Sequence, residues 1–215
     1  KKKIIITYHS DIIKQSGFLK TLSVFLLKRA LRKAQIITTT SYRLLNSSDL
    51  LLKYKAKTKI IPLSSEKQSS TSFSPNSYFL LIGRLSYYKG VDVLIKALKN
   101  SNILNRKVLI IGKGEKDIEH LISNFVKEKS NVTFINEFVS EKMKLDYIKN
   151  CYCLLFPSNF NSEAFGITQI ESLSFAKPVI NTNLDTGVPW VSLNNITGFT
   201  AKPGCAVSFS KCIEK

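Results

Sequence analysis

Short apolar runs rich in β-branched residues alternate with stretches of helical period along nearly the whole chain. The pattern predicts strands at Ile4–His9, Gln35–Thr40, Lys59–Leu63, Tyr78–Leu85, Val108–Gly112, Val132–Phe138, Leu154–Ser158, Val179–Asn183 and Gly198–Ala201. Between them it predicts helices over 18–34, 42–54, 89–99, 116–129, 140–150, 164–176 and 205–214. Strand and helix taking turns implies right-handed crossovers and parallel sheets covered on both faces, an α/β fold. The alternation is interrupted at Ser64–Ser77, SSEKQSSTSFSPNS, a polar, Ser-rich stretch with the character of a linker. Two units are therefore expected, 1–64 and 78–215, joined by a linker at 65–77. The second has room for a doubly wound sheet of about five or six strands, whereas about three strands are few for a layer to stand alone. Because the chain opens directly on a strand, residues 1–64 are expected to be the C-terminal part of an incomplete Rossmann-like domain.

Composition adds little to this picture until charge is considered. Of 215 residues, 44% are hydrophobic and 22% charged, as in ordinary soluble domains. No apolar run approaches the roughly 20 residues that a bilayer span needs. The longest candidate, around Val24–Leu27, ends at Lys28 and Arg29, and no signal-peptide pattern is seen, so a cytoplasmic location is expected. Cys151, Cys153, Cys205 and Cys212 match no common zinc or redox spacing and are expected to be reduced, structural thiols. The formal charge is +17, and +12 of it lies in residues 1–64, where 14 Lys and Arg face only Asp11 and Asp49. Such a field favours an anionic partner: a phosphorylated substrate, an acidic lipid surface or nucleic acid. No nucleic-acid-binding motif accompanies the charge. On a helical wheel of about 100° per residue, Lys28, Arg29, Arg32 and Lys33 share one arc with Phe18, Leu22 and Phe25. Cations mixed with aromatics suit an anionic membrane surface; the same apolar groups equally suit packing within their own domain.

Open parallel sheets bind ligands beyond the carboxyl ends of their strands, so the segments after each strand are the ones to inspect. After the strand at Tyr78 comes Gly83-Arg84-Leu85-Ser86-Tyr87-Tyr88-Lys89-Gly90, a turn with two cations suited to a diphosphate. Gly112-Lys113-Gly114-Glu115 is a glycine turn too short to count as a dinucleotide fingerprint. After the strand at Leu154 comes Asn159-Phe160-Asn161-Ser162-Glu163-Ala164-Phe165-Gly166-Ile167-Thr168-Gln169-Ile170-Glu171. A helix through all of it would set Glu171 about 12 Å along and about 80° around from Glu163. Carboxylates so placed cannot share a proton; they suit different parts of one elongated ligand. Each of these motifs taken alone also fits a solvated loop or helix face.

Together they are more specific. GRLSYYKG, GKGE, FPSNFNSEAFGITQIESLSFAKPVINTN, TGVPW and NITGFTAKPG resemble, in order and spacing over residues 78–204, the family 4 retaining glycosyltransferases of GT-B architecture. Glu163 and Glu171 fit that family's E-x7-E motif. The run Ser162–Asn183 with TGVPWVS is similar to bacterial enzymes that build O-antigen and other surface polysaccharides. TYHSDIIKQ and ITTTS resemble the second half of the family's N-terminal domain, while Asn136 and Cys205 depart from its usual Gly and Asp. The resemblance implies two Rossmann-like domains, the first incomplete here, and transfer of a hexose from GDP-mannose or a UDP-sugar to a lipid-linked or polysaccharide acceptor. It implies that Arg84 and Lys89, with Gly83 beside them, clamp the donor diphosphate. Glu163 would meet the sugar hydroxyls, Ala164, Phe165, Gly166 and Ile167 would line the donor with backbone amides, and Glu171 would hold the ribose. His9 would face the reacting sugar across the cleft. No metal or other cofactor is implied. Two other readings remain: a non-catalytic nucleotide-sugar-binding fragment, which would use Arg84, Lys89 and Glu171 but not His9, and a nucleic-acid binder, which would explain the charge alone.

Overall fold

A computed structural model describes residues 3–11, 17–66, 78–101 and 106–215. Most of the expected linker therefore lies outside the described residues, as does the side chain of Phe18. Two parallel sheets form, one on each side of that segment.

The first sheet holds β1 (Ile5–Tyr8), β2 (Ile36–Thr39) and β3 (Thr58–Ile60) in that order, with Ile5 opposite Ile36 and Ile37 opposite Thr58. β1 leads through α1 (Gly17–Lys33) to β2, and β2 leads through α2 (Tyr42–Ser47) and α3 (Asp49–Leu52) to β3. Tyr8, Leu31, Ala34, Ile37, Leu44, Leu45 and Leu51 make one small core. The single helix expected over 42–54 is divided at Ser48, whose backbone is extended. Its amide caps α2 on Leu44 O and its hydroxyl caps α3 by accepting from Leu51 N, so one serine ends one helix and begins the next.

The second sheet holds β4 (Phe79–Ile82), β5 (Val108–Ile111), β6 (Val132–Ile135), β7 (Cys153–Leu155), β8 (Val179–Thr182) and β9 (Gly198–Ala201). Their order is β6-β5-β4-β7-β8-β9, all parallel. Side chains alternate between two cores: Phe79 and Leu81 face α4 (Val91–Asn100), α5 (Lys116–Glu128) and α9 (Ala206–Ile213). Leu80 and Ile82 face the layer of α6 (Glu141–Asn150), α7 (Ile167–Ser174) and the short α8 (Val188–Val191). Every β4 residue is buried, as continuous apolar strands of doubly covered sheets are. The chain runs outward from β4 through β5 to β6, then returns to β7 on the other side of β4. That reversal opens a crevice beyond the carboxyl ends of β4 and β7, where the GRLSYYKG loop and residues 156–166 both lie.

The sheets meet through α2. Ser47 Oγ donates to Asp185 O at 2.7 Å, and Arg43 Nη2 lies 3.6 Å from the Asp185 carboxylate. Asp185 N in turn donates to Asn161 Oδ1 at 3.2 Å, two residues before Glu163. Among the described residues no helix is long and apolar enough to cross a membrane. The four cysteines are free, and burial pushes the thiol of Cys151 up to about 12.

Candidate functional site

Two loops are forced together at the crevice by a glycine. Gly90 ends the 3-10 turn Tyr87–Lys89 in the left-handed region at φ 66°, and a Cβ there would stand 2.0 Å from Pro157 O. Only glycine permits this approach of the β4 loop to the end of β7. Asn159 N donates to Tyr88 O at 3.0 Å and ties the same two loops. As a result Lys89 Nζ reaches Glu163 Oε2 at 2.6 Å, with Ser158 Oγ donating to the same oxygen at 3.0 Å. The ammonium also lies 4.9 Å from the centroid of Phe156. Glu163 is 9% exposed, so this pair is largely out of water, where charge attracts charge more strongly.

Glu163 is not helical. The helix expected from residue 164 begins at Ile167, because Gly166 takes a left-handed conformation at φ 82° and cannot continue a helix backward. The separation of about 12 Å and about 80° computed for a continuous helix therefore does not describe the two glutamates. Instead the turn before α7 is folded onto its neighbours: Ala164 O accepts from Gly187 N at 2.8 Å, and Phe165 O from Gln169 Nε2 at 3.1 Å. The Phe165 ring is buried 5.9 Å from Trp190, while the Ile167 side chain is exposed. The amides of Phe165, Gly166 and Ile167 have no acceptor among the described residues; for Gly166 and Ile167, the cap and first residue of α7, this is what a helix start leaves open.

Glu171 lies on α7 and is 5% exposed. Its Oε1 accepts from Lys144 Nζ of α6 at 2.8 Å, while its Oε2 is buried without a hydrogen-bond partner. An open buried acceptor is costly in a folded protein and marks a place for a donor to arrive. Lys144 also reaches Glu141 at 2.8 Å. Burial works against its charge, but the hydrogen bonds it donates to Glu141 and Glu171 outweigh that and raise its pKa above the ordinary lysine value.

The remaining expected residues are not drawn into these pairs. Arg84 is exposed beyond β4 beside Gly83 and forms no ion pair among the described residues. His9 is exposed just beyond β1, and no contact joins it to Glu163 or Lys89. Next to it, Asp11 Oδ1 takes hydroxyl hydrogen bonds from Tyr8 and, at 2.7 Å, from Ser48. The glycine turn GKGE is clamped: Glu119 accepts from Gly114 N at 2.8 Å and Asn136 Nδ2 at 3.2 Å, which holds its carboxyl below the usual range. Among the described residues no group of three or more His, Cys, Asp or Glu stands together as metal ligands would.

Ser158, Lys144, Gln169 and Asn181 all shape the site and were not singled out from the sequence. A signal existed for Asn181, a polar residue directly after Val179 and Ile180 in a strand of a sheet expected to be covered on both faces. Lys144 carried none, since its partner is 27 residues away.

Residues 64–215 match the family described as "Glycosyl transferases group 1", and the chain belongs to that family. It is 29% identical over 224 residues to the D-rhamnosyltransferase WbpZ of Pseudomonas aeruginosa, covering 99% of this chain and 57% of that protein. It is 31% identical over 211 residues to the O-antigen chain mannosyltransferase C of Escherichia coli, covering 94% and 56%. The fold is that of the glycosyltransferase architecture with paired parallel-sheet domains. The crystal structure of Anabaena Alr3699/HepE in complex with UDP superposes with a TM-score of 0.78 at 18% identity, over 99% of this chain and 63% of that one. The chain thus spans 56–57% of the length of these two curated relatives.

Proposed function

We propose that the chain carries the donor side of a retaining hexosyltransferase that uses a nucleotide-diphosphate sugar in the synthesis of cell-surface glycan. The observation that carries this reading is the Lys89–Glu163 pair, 2.6 Å apart at the reversal point of a doubly wound sheet. A half-buried cation beside a buried carboxylate can part to receive an anion on one side and hydroxyls on the other. In this reading Lys89, with Arg84 reaching in from the rim, meets the diphosphate. Glu163 takes the hydroxyls of the transferred sugar, and the open Oε2 of Glu171 accepts from the ribose. Cleavage of the anomeric carbon–phosphate bond leaves negative charge on the departing diphosphate. Lys89, Arg84 and the amides before α7 are fixed positive groups for that charge, and such preorganised groups commonly contribute the largest share of catalysis. The acceptor oxygen then bonds to the anomeric carbon on the face from which the diphosphate departs, giving its proton to that phosphate, and this same-face attack gives retention. His9 serves the sugar from the first sheet, and no metal is needed for these steps.

The relatives named above transfer rhamnose and mannose, and the Anabaena protein has been seen with UDP-glucose, so the donor reading extends to both GDP and UDP sugars. A lipid-linked or polysaccharide acceptor is part of the same reading, supported by the O-antigen chain in the name of the Escherichia coli relative. Peripheral attachment to an anionic inner membrane surface is part of the proposal. Phe25 is 59% exposed on α1 and lines, with Lys28, Arg29, Arg32 and Lys33, a shallow groove of about 290 Å³. Calorimetric titration with GDP, UDP and their sugars tests the donor reading. One of the two nucleotides should bind with unchanged affinity after addition of a chelator, and a folded chain that binds none would sink it.

A further inference from the structure

Two buried carboxamides lie beside the turn that precedes α7. Gln169 and Asn181 are both 0% exposed. Gln169 Nε2 donates to Phe165 O at 3.1 Å and to Val188 O at 3.3 Å, and its Oε1 accepts from Asn181 Nδ2 at 3.0 Å. Asn181 Nδ2 also lies 3.1 Å from both Val188 O and Ser192 O, and its Oδ1 accepts from Thr200 Oγ1 at 2.8 Å. α7, β8, β9 and the α8 segment thereby share one network in which both carboxamides are satisfied, the condition under which a buried polar network makes a site rigid.

The direction of these bonds matters more than their number. In a trans peptide the C=O and N–H point opposite ways. Gln169 draws the Phe165 carbonyl inward, so the N–H of the same peptide unit, that of Gly166, is turned away from Gln169. One residue earlier, Gly187 N holds the Ala164 carbonyl at 2.8 Å and turns the Phe165 amide in the same manner. The space beneath is full: a Cβ on Gly166 would stand 2.7 Å from Gln169 Nε2 and 2.7 Å from Phe156 Cζ. The carboxamide and the glycine thus fit together as one unit.

We infer that Gln169, anchored through Asn181 and Thr200, is a positioning residue: it fixes the Phe165–Gly166 peptide so that the Gly166 amide stands ready for an anionic oxygen of the nucleotide diphosphate. The inference rests on the donor-site reading above. A role confined to folding would weaken every ligand of the pocket alike, whereas a role in aiming one amide weakens only ligands that carry the diphosphate.

The test is a titration of the wild type, Gln169→Met and Thr200→Val with UDP and uridine, and with GDP and guanosine. Gln169→Met keeps the volume and removes both donors. Diphosphate affinity should fall about 10-fold or more, the scale of one hydrogen bond to a charged group, with nucleoside affinity unchanged. Thr200→Val, which removes only the outermost bond, should show the same selective loss at about two- to threefold, and carries the comparison if Gln169→Met does not fold. Gln169→Glu should recover diphosphate affinity as pH falls through the range where the carboxyl gains its proton and can donate again. Equal losses for nucleoside and diphosphate, or an unchanged ratio in a folded variant, would overturn the inference alone. A wild type that binds neither diphosphate would overturn the donor reading and this inference with it.

Discussion

Beyond β4 and β7 both buried glutamates are matched within the chain, Glu163 with Lys89 at 2.6 Å and Glu171 with Lys144 at 2.8 Å, while Arg84 stands exposed at the rim. Beyond β1 the corresponding position is held by His9, exposed and joined to neither glutamate, next to an Asp11 engaged by Tyr8 and Ser48. Coverage differs in the same sense, since β4 is buried on both faces while Ile5 in β1 is 64% exposed. A turn whose carbonyls are pinned is ordered before its ligand arrives, and ordering costs are correspondingly small. The second sheet's residues should therefore reveal themselves in binding of nucleotide alone. His9 should reveal itself only in turnover.

The sharpest break of that contrast is Lys89→Met. It removes the cation proposed to meet the diphosphate and leaves Glu163 with Ser158 as its partner. Nucleoside diphosphate affinity is expected to fall roughly 30- to 150-fold by calorimetry, from about 2–3 kcal/mol for a charge-assisted hydrogen bond. Next comes Gly166→Ala, which places a side chain in the left-handed region at φ 82° and against Phe156. Denaturant unfolding should show a loss of about 2 kcal/mol, within the range for such backbone strain.

Lys144→Met probes the second pair through pH. The lysine's pKa is raised in the fold, so its contribution to stability is complete below the unfolded value of about 10.4 and is lost as pH climbs through the folded value. The variant should be about 1 kcal/mol less stable than wild type at neutral pH, with the gap closing at strongly alkaline pH. A gap that persists unchanged at high pH would show that packing, not charge, is what Lys144 supplies. Smallest of all, His9→Ala should leave nucleoside diphosphate affinity unchanged while lowering transfer to acceptor in the active protein. A fall in affinity would erase the contrast between the two sheets.

How much of this could be read from residue order alone follows physical lines. The nine expected strands are all present among the described residues, because continuous β-branched runs such as Val108–Ile111 have few alternatives to a doubly covered sheet. Strand ends were less legible. The run expected over Val132–Phe138 pairs only to Ile135, since the residues beyond it belong to the crevice loops. Helix 42–54 was read through Ser48 because period alone does not reveal a residue that caps both ways. The helix expected from 164 starts three residues later, because helical period alone does not show that Gly166 is a left-handed cap. α8 within TGVPWVS, only four residues long, was not read at all. Glu163 and Glu171 could be named from their motif, but their partners could not. Lys89 and Lys144 reach them from other elements, and only the topology brings those elements together.

Asp185 carries a consequence of a mechanical kind. Its carbonyl is held by Ser47, its carboxylate faces Arg43, and its amide holds Asn161, so one residue is a three-way joint between α2 and the loop leading to Glu163. The three arms differ in their response to the medium. Only the carboxylate arm, with both side chains well exposed, is open to screening by dissolved ions. Rising ionic strength should loosen that arm and leave the two hydrogen-bonded arms engaged. The joint would then be held by Ser47 and Asn161 alone, next to the loop that carries Glu163.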